Sequence, residues 1–365
     1  MVVNIRIGIL LAHEKSPYEG RVRPFINWVK KLSECHEVYL FLYKCGKQLV
    51  EVVEKIEKVQ VENLNTFNEL IESLNKNNLD ILLSDDYFSR LRLLTKLKGR
   101  TKIKTAVYIQ ILFATHSILD VFNINLLTLR ERLLFEAMKY IPFNLIKKEY
   151  KKLLREQDII IANSKITANL LHILYGIEPT GIVYPPVDTN IFRPKAKRKK
   201  KQVVVYLGSN AGDTSEDFIL EICKILRDKG FKILTMGNEI IKQRLRQKIE
   251  ISPLPKVSDE MLAKIYSESL LTVCPQKFET FGYVPAESMA CGTPVLAFNC
   301  MGPSEIILNG KTGFLVQNKT EFLETLSSIL EREIKINHNF ISKYARSKFS
   351  IEASTKKLEE ILVKV

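Results

Sequence analysis

Short apolar runs alternate along this chain with longer amphipathic stretches, and that alternation gives the first reading of the fold. Ile5–Leu11 and Val38–Tyr43 are apolar runs of strand length, with a helical pattern over Val22–Leu32 between them. Ile81–Leu83, Ala106–Ile111 and Ile159–Asn163 predict three further strands. Strands separated by helical patterns argue for a parallel, doubly wound sheet. The stretch Leu126–Arg155 reads as a long helix that Pro142 breaks or kinks. Its mixed faces fit either an interfacial helix on anionic lipid or a core-facing helix with a basic solvent side.

The second half repeats the alternation. Val203–Leu207 and Phe231–Met236 predict strands, and a loop from Ile251 leads to a helix over Ser258–Ser267. Leu270–Cys274 reads as a buried strand, Tyr283–Cys291 as a helix with Pro285 in its first turn and Gly292 past its end, and Pro294–Phe298 as the next strand. The turn Tyr184-Pro185-Pro186-Val187-Asp188 stiffens a crossing between domains, and the final segment Ile341–Val365 is amphipathic. The expected division is residues 1–190, 191–345 and a terminal helix over 346–365. A chain of 365 residues has room for two cores.

Composition removes several classes. No apolar run approaches the roughly 18 residues of a membrane span, and Met1–Arg21 lacks a basic leader with a small-residue cleavage site, so a cytoplasmic protein is expected. Six cysteines and five histidines show no metal-ligand spacing, so reduced thiols and no metal site are expected. The net charge of +14 makes nucleic acid, an anionic membrane surface and phosphorylated substrates candidate partners. Much of the excess sits in Lys96–Lys104 and Lys195–Lys201, read as solvated loops or linkers. No aromatic residues interleave the basic ones in sequence as a single-strand groove requires, so nucleic acid ranks low.

The chemistry concentrates between Val273 and Val316. Glu279 and Glu287 are separated by seven residues in a strand–loop–helix–strand context. Glu279 hangs in the loop at a strand tip, where open α/β sheets place ligands. The amides of Phe281, Gly282 and Tyr283 open a helix and suit phosphate oxygens. Glu287, about one turn further on, is in reach of vicinal hydroxyls. The bare spacing carries little weight, because charged helices produce such pairs constantly.

With FETFG, AESMACGTPVLAF and NGKTGFLV around it, the segment resembles the donor-site signature of the retaining family 4 glycosyltransferases. The resemblance covers the second half well and the first half loosely, although Asp158–Pro194 is similar to the family's hinge-entry segment. It implies two Rossmann-like domains facing a cleft (the GT-B arrangement), with the terminal helix returning to the first domain. It also implies a metal-independent retaining transferase, hexosyltransferase-like, that moves a sugar from a nucleotide-diphosphate-sugar to a glycan or lipid-linked hydroxyl. No cofactor beyond that donor is expected, and the lipid-linked option would put the protein on the cytoplasmic face of an anionic membrane. By that resemblance Glu287 holds the ribose hydroxyls, and Glu279 faces sugar hydroxyls near the anomeric centre. Paired acids also permit double displacement, but a front-side return fits a Glu287 committed to the nucleotide.

Without a metal, the leaving diphosphate requires positive charge and amide donors. The family carries an Arg and a Lys after the first strand of the second domain. This chain reads Gly208-Ser209-Asn210-Ala211-Gly212-Asp213-Thr214, with no basic residue until Lys224. Three expectations stay open: Ser209, Asn210 and backbone amides take the phosphate; Lys277, or else Arg21 and Arg23, supplies the cation; or catalysis is weakened. Gly20 opens the first helix, either to bring amides to a phosphate or acceptor or only to shape a tight loop. His116 and Gln110 are the alternatives for a polar group near the reacting sugar, and Gly237 is a candidate neighbour of the base. The competing classes are a degenerate, non-catalytic glycosyltransferase-like binding protein and a basic nucleic-acid binder.

Overall fold

The computed structural model describes residues 4–17, 20–110, 143–196, 198–208, 215–331 and 336–364. They fall into two compact units. The first takes the described chain up to Gln110, then the stretch from Phe143 to Pro186, and the C-terminal stretch from Ile351; the second runs Val187–Ser350.

The first unit contains β1 (Arg6–Ala12), α1 (Arg23–Leu32), β2 (Glu37–Tyr43), α2 (Lys47–Val53), β3 (Val59–Leu64), α3 (Phe67–Lys76) and β4 (Ile81–Asp85). It continues with α4 (Phe88–Lys98), β5 (Lys104–Ile109), α5 (Phe143–Arg155), β6 (Ile159–Ala162), α6 (Lys165–Tyr175) and β7 (Gly181–Ile182). The strands pair in parallel in the order β3-β2-β1-β4-β5-β6-β7. Successive side chains of a strand point to opposite faces, and β1 uses both. Ile7, Ile9 and Leu11 pack with Trp28 on one side, while Leu10 and Ala12 pack with Phe41, Leu70 and Leu94 on the other. This two-sided burial is why the strand reads as an unbroken apolar run.

The second unit contains β8 (Gln202–Tyr206), α7 (Glu216–Asp228), β9 (Lys232–Met236), α8 (Glu239–Arg246), β10 (Ser252–Pro253), α9 (Asp259–Glu268) and β11 (Leu271–Cys274). Then come α10 (Tyr283–Ala290), β12 (Val295–Phe298), α11 (Met301–Ile306), β13 (Gly313–Val316), α12 (Lys319–Glu331) and α13 (His338–Phe349). Its sheet is parallel, in the order β10-β9-β8-β11-β12-β13. Each sheet therefore has the doubly wound order in which the first strand lies beside the fourth. The switch points are β1/β4 and β8/β11, and in such sheets ligands bind outside the strand tips at that crevice.

The chain's end differs in detail from the single helix expected over residues 346–365. The terminal segment is two helices, because the chain turns extended at Ser350 (ψ 159°). There Ser350 bridges Val187, and the Val187 amide donates to the Phe349 carbonyl at 2.7 Å. The second of the two, α14 (Ile351–Leu362), belongs to the first unit. Its Leu358 and Ile361 enter the core beside Trp28, whose indole donates to Ser354 Oγ at 2.9 Å. The basic block after Pro194 is a largely exposed loop, as expected, tied down at a few points. The amides of Lys195 and Ala196 donate to Ser267 Oγ at 2.6 and 3.0 Å, and Lys200 pairs with Glu268 at 2.6 Å.

Candidate active site

The second unit's switch point is bridged by a side chain that sequence reading passed over. Gln276, just beyond β11, donates from Nε2 to the Tyr206 carbonyl at the end of β8, at 2.6 Å. Gln276 is buried, and its Oε1 has no hydrogen-bond partner among the described residues. A buried acceptor left unmet costs about 1–3 kcal/mol, so this oxygen is a place for a ligand's donor. A neutral glutamine in a PQK run gives no sequence signal.

From Gln276 the chain runs through Lys277 and Glu279 into α10, and the loop is pinned from outside. The Gly302 amide donates to the Glu279 carbonyl at 2.7 Å, and Cys300 Sγ lies 3.1 Å from the Lys277 carbonyl. A Cβ at Gly302 would stand 2.3 Å from the Phe281 carbonyl oxygen, so only glycine permits this approach. Phe281 points its ring inward, edge-on to Tyr283 and to Phe349, each with centroids 5.6 Å apart. The ring is an anchor, leaving the backbone for any ligand role. Gly282 caps α10 with φ +100°, and a Cβ there would lie 3.6 Å from Glu279 Cγ, so the Glu279 side chain folds toward the first turn of α10.

Glu287 lies on α10 and is only 2% exposed. Its carboxylate is felt by two neighbours. Burial first, then Glu287, raises the Tyr266 hydroxyl well above its ordinary range and pushes the Cys291 thiol up. Tyr266 reaches from α9 to Met236 Sδ, at 3.4 Å, at the end of β9. Glu287 is thus in the neighbourhood of the β9 tip, where Gly237 follows. Gly237 has φ +106°, and a Cβ on it would stand 2.4 Å from the Gly208 carbonyl oxygen. The Asn238 amide donates to that same oxygen at 2.9 Å, which ties the β8 and β9 tips together. Glu279 is near enough to the end of β11 to add, after burial, to the raising of the Cys274 thiol.

The remaining predicted residues separate. Lys277 is exposed, its Nζ 5.2 Å from the Phe298 ring centroid. Ser209, Asn210 and His116 lie outside the described residues. Gly20 belongs to the first unit, and a Cβ there would meet nothing within 4 Å, so no tight loop requires glycine at that position. Arg21 is corrected as a spare cation: it pairs with Asp86 at 3.0 Å and approaches Asp85 at 4.0 Å. Gln110 is buried in the same network, donating from Nε2 to the Arg21 carbonyl at 2.9 Å and from its amide to Asp86 at 3.3 Å. Burial, opposed by Arg21, raises the Asp86 carboxyl to about 6. Among the described residues no three His, Cys, Asp or Glu side chains converge as a metal site, and no helix is long and apolar enough to cross a membrane.

Residues 187–348 match the model of a family described as glycosyl transferases group 1. Two curated relatives carry the name D-inositol 3-phosphate glycosyltransferase. The Rhodococcus erythropolis protein is 31% identical over 199 residues, covering 47% of this chain and 45% of its own. The Mycolicibacterium smegmatis protein is 28% identical over 203 residues, covering 49% and 46%. The chain spans about half the length of the curated relatives it matches. Solved structures align over nearly the whole chain. A glycosyltransferase from Rickettsia africae ESF-5 gives a TM-score of 0.75 at 17% identity, covering 99% of this chain and 98% of that one. Anabaena Alr3699/HepE in complex with UDP and glucose gives 0.74 at 14% identity, covering 99% and 100%. At such identities the likeness carries the fold, and the chain has the two-domain, Rossmann-like GT-B fold.

Proposed function

We propose that the chain is a retaining glycosyltransferase that moves a sugar from a nucleotide-diphosphate-sugar to an acceptor hydroxyl without a metal. The observation that carries this reading is the loop from Gln276 to Gly282 at the β8/β11 switch point, which bears Glu279, is pinned by Gly302 and leads into the helix bearing Glu287. The family match over residues 187–348 includes that loop, and the names of the relatives and neighbours supply the class of reaction.

In this reading Glu287 and the Gly208–Gly237 contact receive the nucleoside, and the amides opening α10 take phosphate oxygens. Gln276 Oε1 accepts a hydrogen bond from the donor. Glu279 stabilises positive charge developing at the anomeric carbon. The bond from that carbon to the diphosphate oxygen breaks and the bond to the acceptor oxygen forms on the same face. The acceptor's proton passes to the leaving phosphate. Lys277, unpaired with any carboxylate among the described residues, is the cation for the leaving group. The first unit takes the acceptor, a glycan or a lipid-linked sugar, with the protein at the cytoplasmic face of an anionic membrane in the second case.

The second reading is a non-catalytic nucleotide-sugar binder. It is favoured by one observation, the absence of any basic residue from Gly208 to Thr214. Donor turnover in excess EDTA separates the two. The proposal expects transfer at the untreated rate; loss of transfer would remove the metal-free mechanism, and nucleotide binding with no transfer to any acceptor would favour the binder.

A further inference from the structure

The second unit has a further pocket, of about 400 Å³, lined by Lys199, Ser267, Cys291 and the segment from Ile336 to Asn339. Lys199 precedes β8, and its partner Thr293 precedes β12. The pocket therefore lies at the amino ends of the strands, whereas the loop from Gln276 to Gly282 leaves a carboxyl end.

Its charge is unbalanced. Lys199 Nζ donates to Thr293 Oγ1, which donates its own proton to the Tyr266 carbonyl at 2.6 Å. Two ammonium hydrogens are left over, and no Asp or Glu lines the pocket among the described residues. The one acidic group that bears on Lys199 is the Cys291 thiol, which burial keeps protonated. Burial accordingly lowers the Lys199 ammonium to about 8, the opposite of what a paired lysine shows. Ser267 is only 2% exposed. Its Oγ accepts from the amides of Lys195 and Ala196, and its own proton has no acceptor among the described residues. A buried donor in that state is costly unless something accepts from it.

His338 supplies the opposite function. A carbonyl can only accept, so the 2.8 Å contact between Nδ1 and the Gly292 carbonyl places the ring proton on Nδ1. Burial first, and Lys199 further, lower the imidazolium below its ordinary range against that bond. The ring is then neutral near pH 7.5, and Nε2 offers a lone pair with no donor among the described residues. Hydrogenphosphate matches this set, because its bare oxygens accept and its one hydroxyl donates. A lysine point charge with a hydroxyl and the first amides of α13 suits a tetrahedral anion. A flat carboxylate is matched better by an arginine fork. Sulfate carries the same charge but no proton for Nε2.

We infer that this pocket binds hydrogenphosphate, with Lys199 and Ser267 donating to its oxygens and its hydroxyl donating to His338 Nε2. The site does not depend on the glycosyltransferase reading. Its occupant ties the approach to β8 to α9 and α13, and Ser342 of α13 already donates to the Ala290 carbonyl at the end of α10, at 2.8 Å.

Pulse acylation of the full chain at pH 8, read by mass spectrometry in chloride, sulfate or phosphate at equal ionic strength, tests this in the wild type. A bound dianion raises the Lys199 ammonium by about one unit or more. Phosphate is therefore expected to slow acylation of Lys199 about tenfold and to leave exposed lysines unchanged. Sulfate is expected to need about a tenfold higher concentration for the same protection, and in His338→Phe the two anions are expected to become equivalent. No protection by phosphate, or the same slowing at exposed lysines, overturns the site. Equal protection by the two anions in the wild type also overturns it and leaves an adventitious ion only. Thermal stabilisation by phosphate is the second readout, with Lys199→Met as the variant, since removing a buried charge favours its folding. A shift in the wild type that shrinks in Lys199→Met supports the site, and an equal shift in both proteins overturns it.

Discussion

The Gly302 amide donates to the Glu279 carbonyl at 2.7 Å, so the candidate catalytic loop is held by a residue 23 positions further along the chain. The bond works only because Gly302 has no side chain, and this gives the first prediction. Gly302→Ala forces a Cβ to within 2.3 Å of the Phe281 carbonyl oxygen, and the loop must move. Overpacking of this kind costs about 1–3 kcal/mol, and misplacing a reacting group costs about a hundredfold in rate. Turnover is therefore expected to fall far more than thermal stability. An alanine variant with wild-type turnover would show that the pin has no catalytic role.

The two glutamates are expected to fail differently. Glu279→Gln lowers kcat by about a hundredfold, as loss of charge stabilisation does, with little change in nucleotide affinity. Glu287→Ala weakens nucleotide binding by about tenfold or more. Steady-state kinetics beside nucleotide titration checks the split, and equal, small effects from both changes would contradict these roles.

Lys199 lies half-buried in the second unit, its Nζ donating to Thr293 Oγ1, and burial lowers its ammonium to about 8. The folded value is below the unfolded one, so burying the charge is penalised in full below about pH 8. That penalty fades as pH rises toward the ordinary lysine value of about 10.4. Relative to Lys199→Met, the wild type gains stability across that window. Pulse acylation read by mass spectrometry gives the same quantity directly, with a reactivity midpoint near 8 for Lys199 against surface lysines near 10.4. A Lys199 profile indistinguishable from the surface lysines would refute the burial argument.

Trp28 is the chain's single tryptophan and is fully buried against α14, so its emission reports on the first unit. Ser354→Ala removes the indole's acceptor and the bond from Ser354 to the Tyr184 carbonyl, at 2.6 Å. A loss of about 1–3 kcal/mol is expected, seen as an earlier red shift of emission in urea. An unchanged midpoint would mean that apolar packing alone holds the helix.

The sequence made most of the strands legible because they are covered on both faces. The run at Ile159–Ala162 and the valines at Val203–Val205 are buried throughout. The edge strand β3 escaped for the opposite reason: Gln60, Glu62 and Asn63 break its apolar pattern at a half-solvated edge. The glutamates, the glycine cap at Gly282 and the turn at Gly237 were readable because they sit in one contiguous motif or at a strand end. Gln276 and Gly302 were not, since their importance comes from contacts between separate loops. The break at Ser350 was hidden in the same way, because a backbone pairing to Val187 causes it and no proline or glycine marks it.

The central claim is that the second unit holds a nucleotide-sugar through Glu287. The most direct test is thermal stabilisation of the full chain by a panel of nucleoside diphosphates and nucleotide-sugars without added metal, in the wild type and in Glu287→Ala. A shift for one base that disappears in the variant is the predicted result and names the nucleotide. No shift with any of them, or a shift that survives in Glu287→Ala, would contradict the claim.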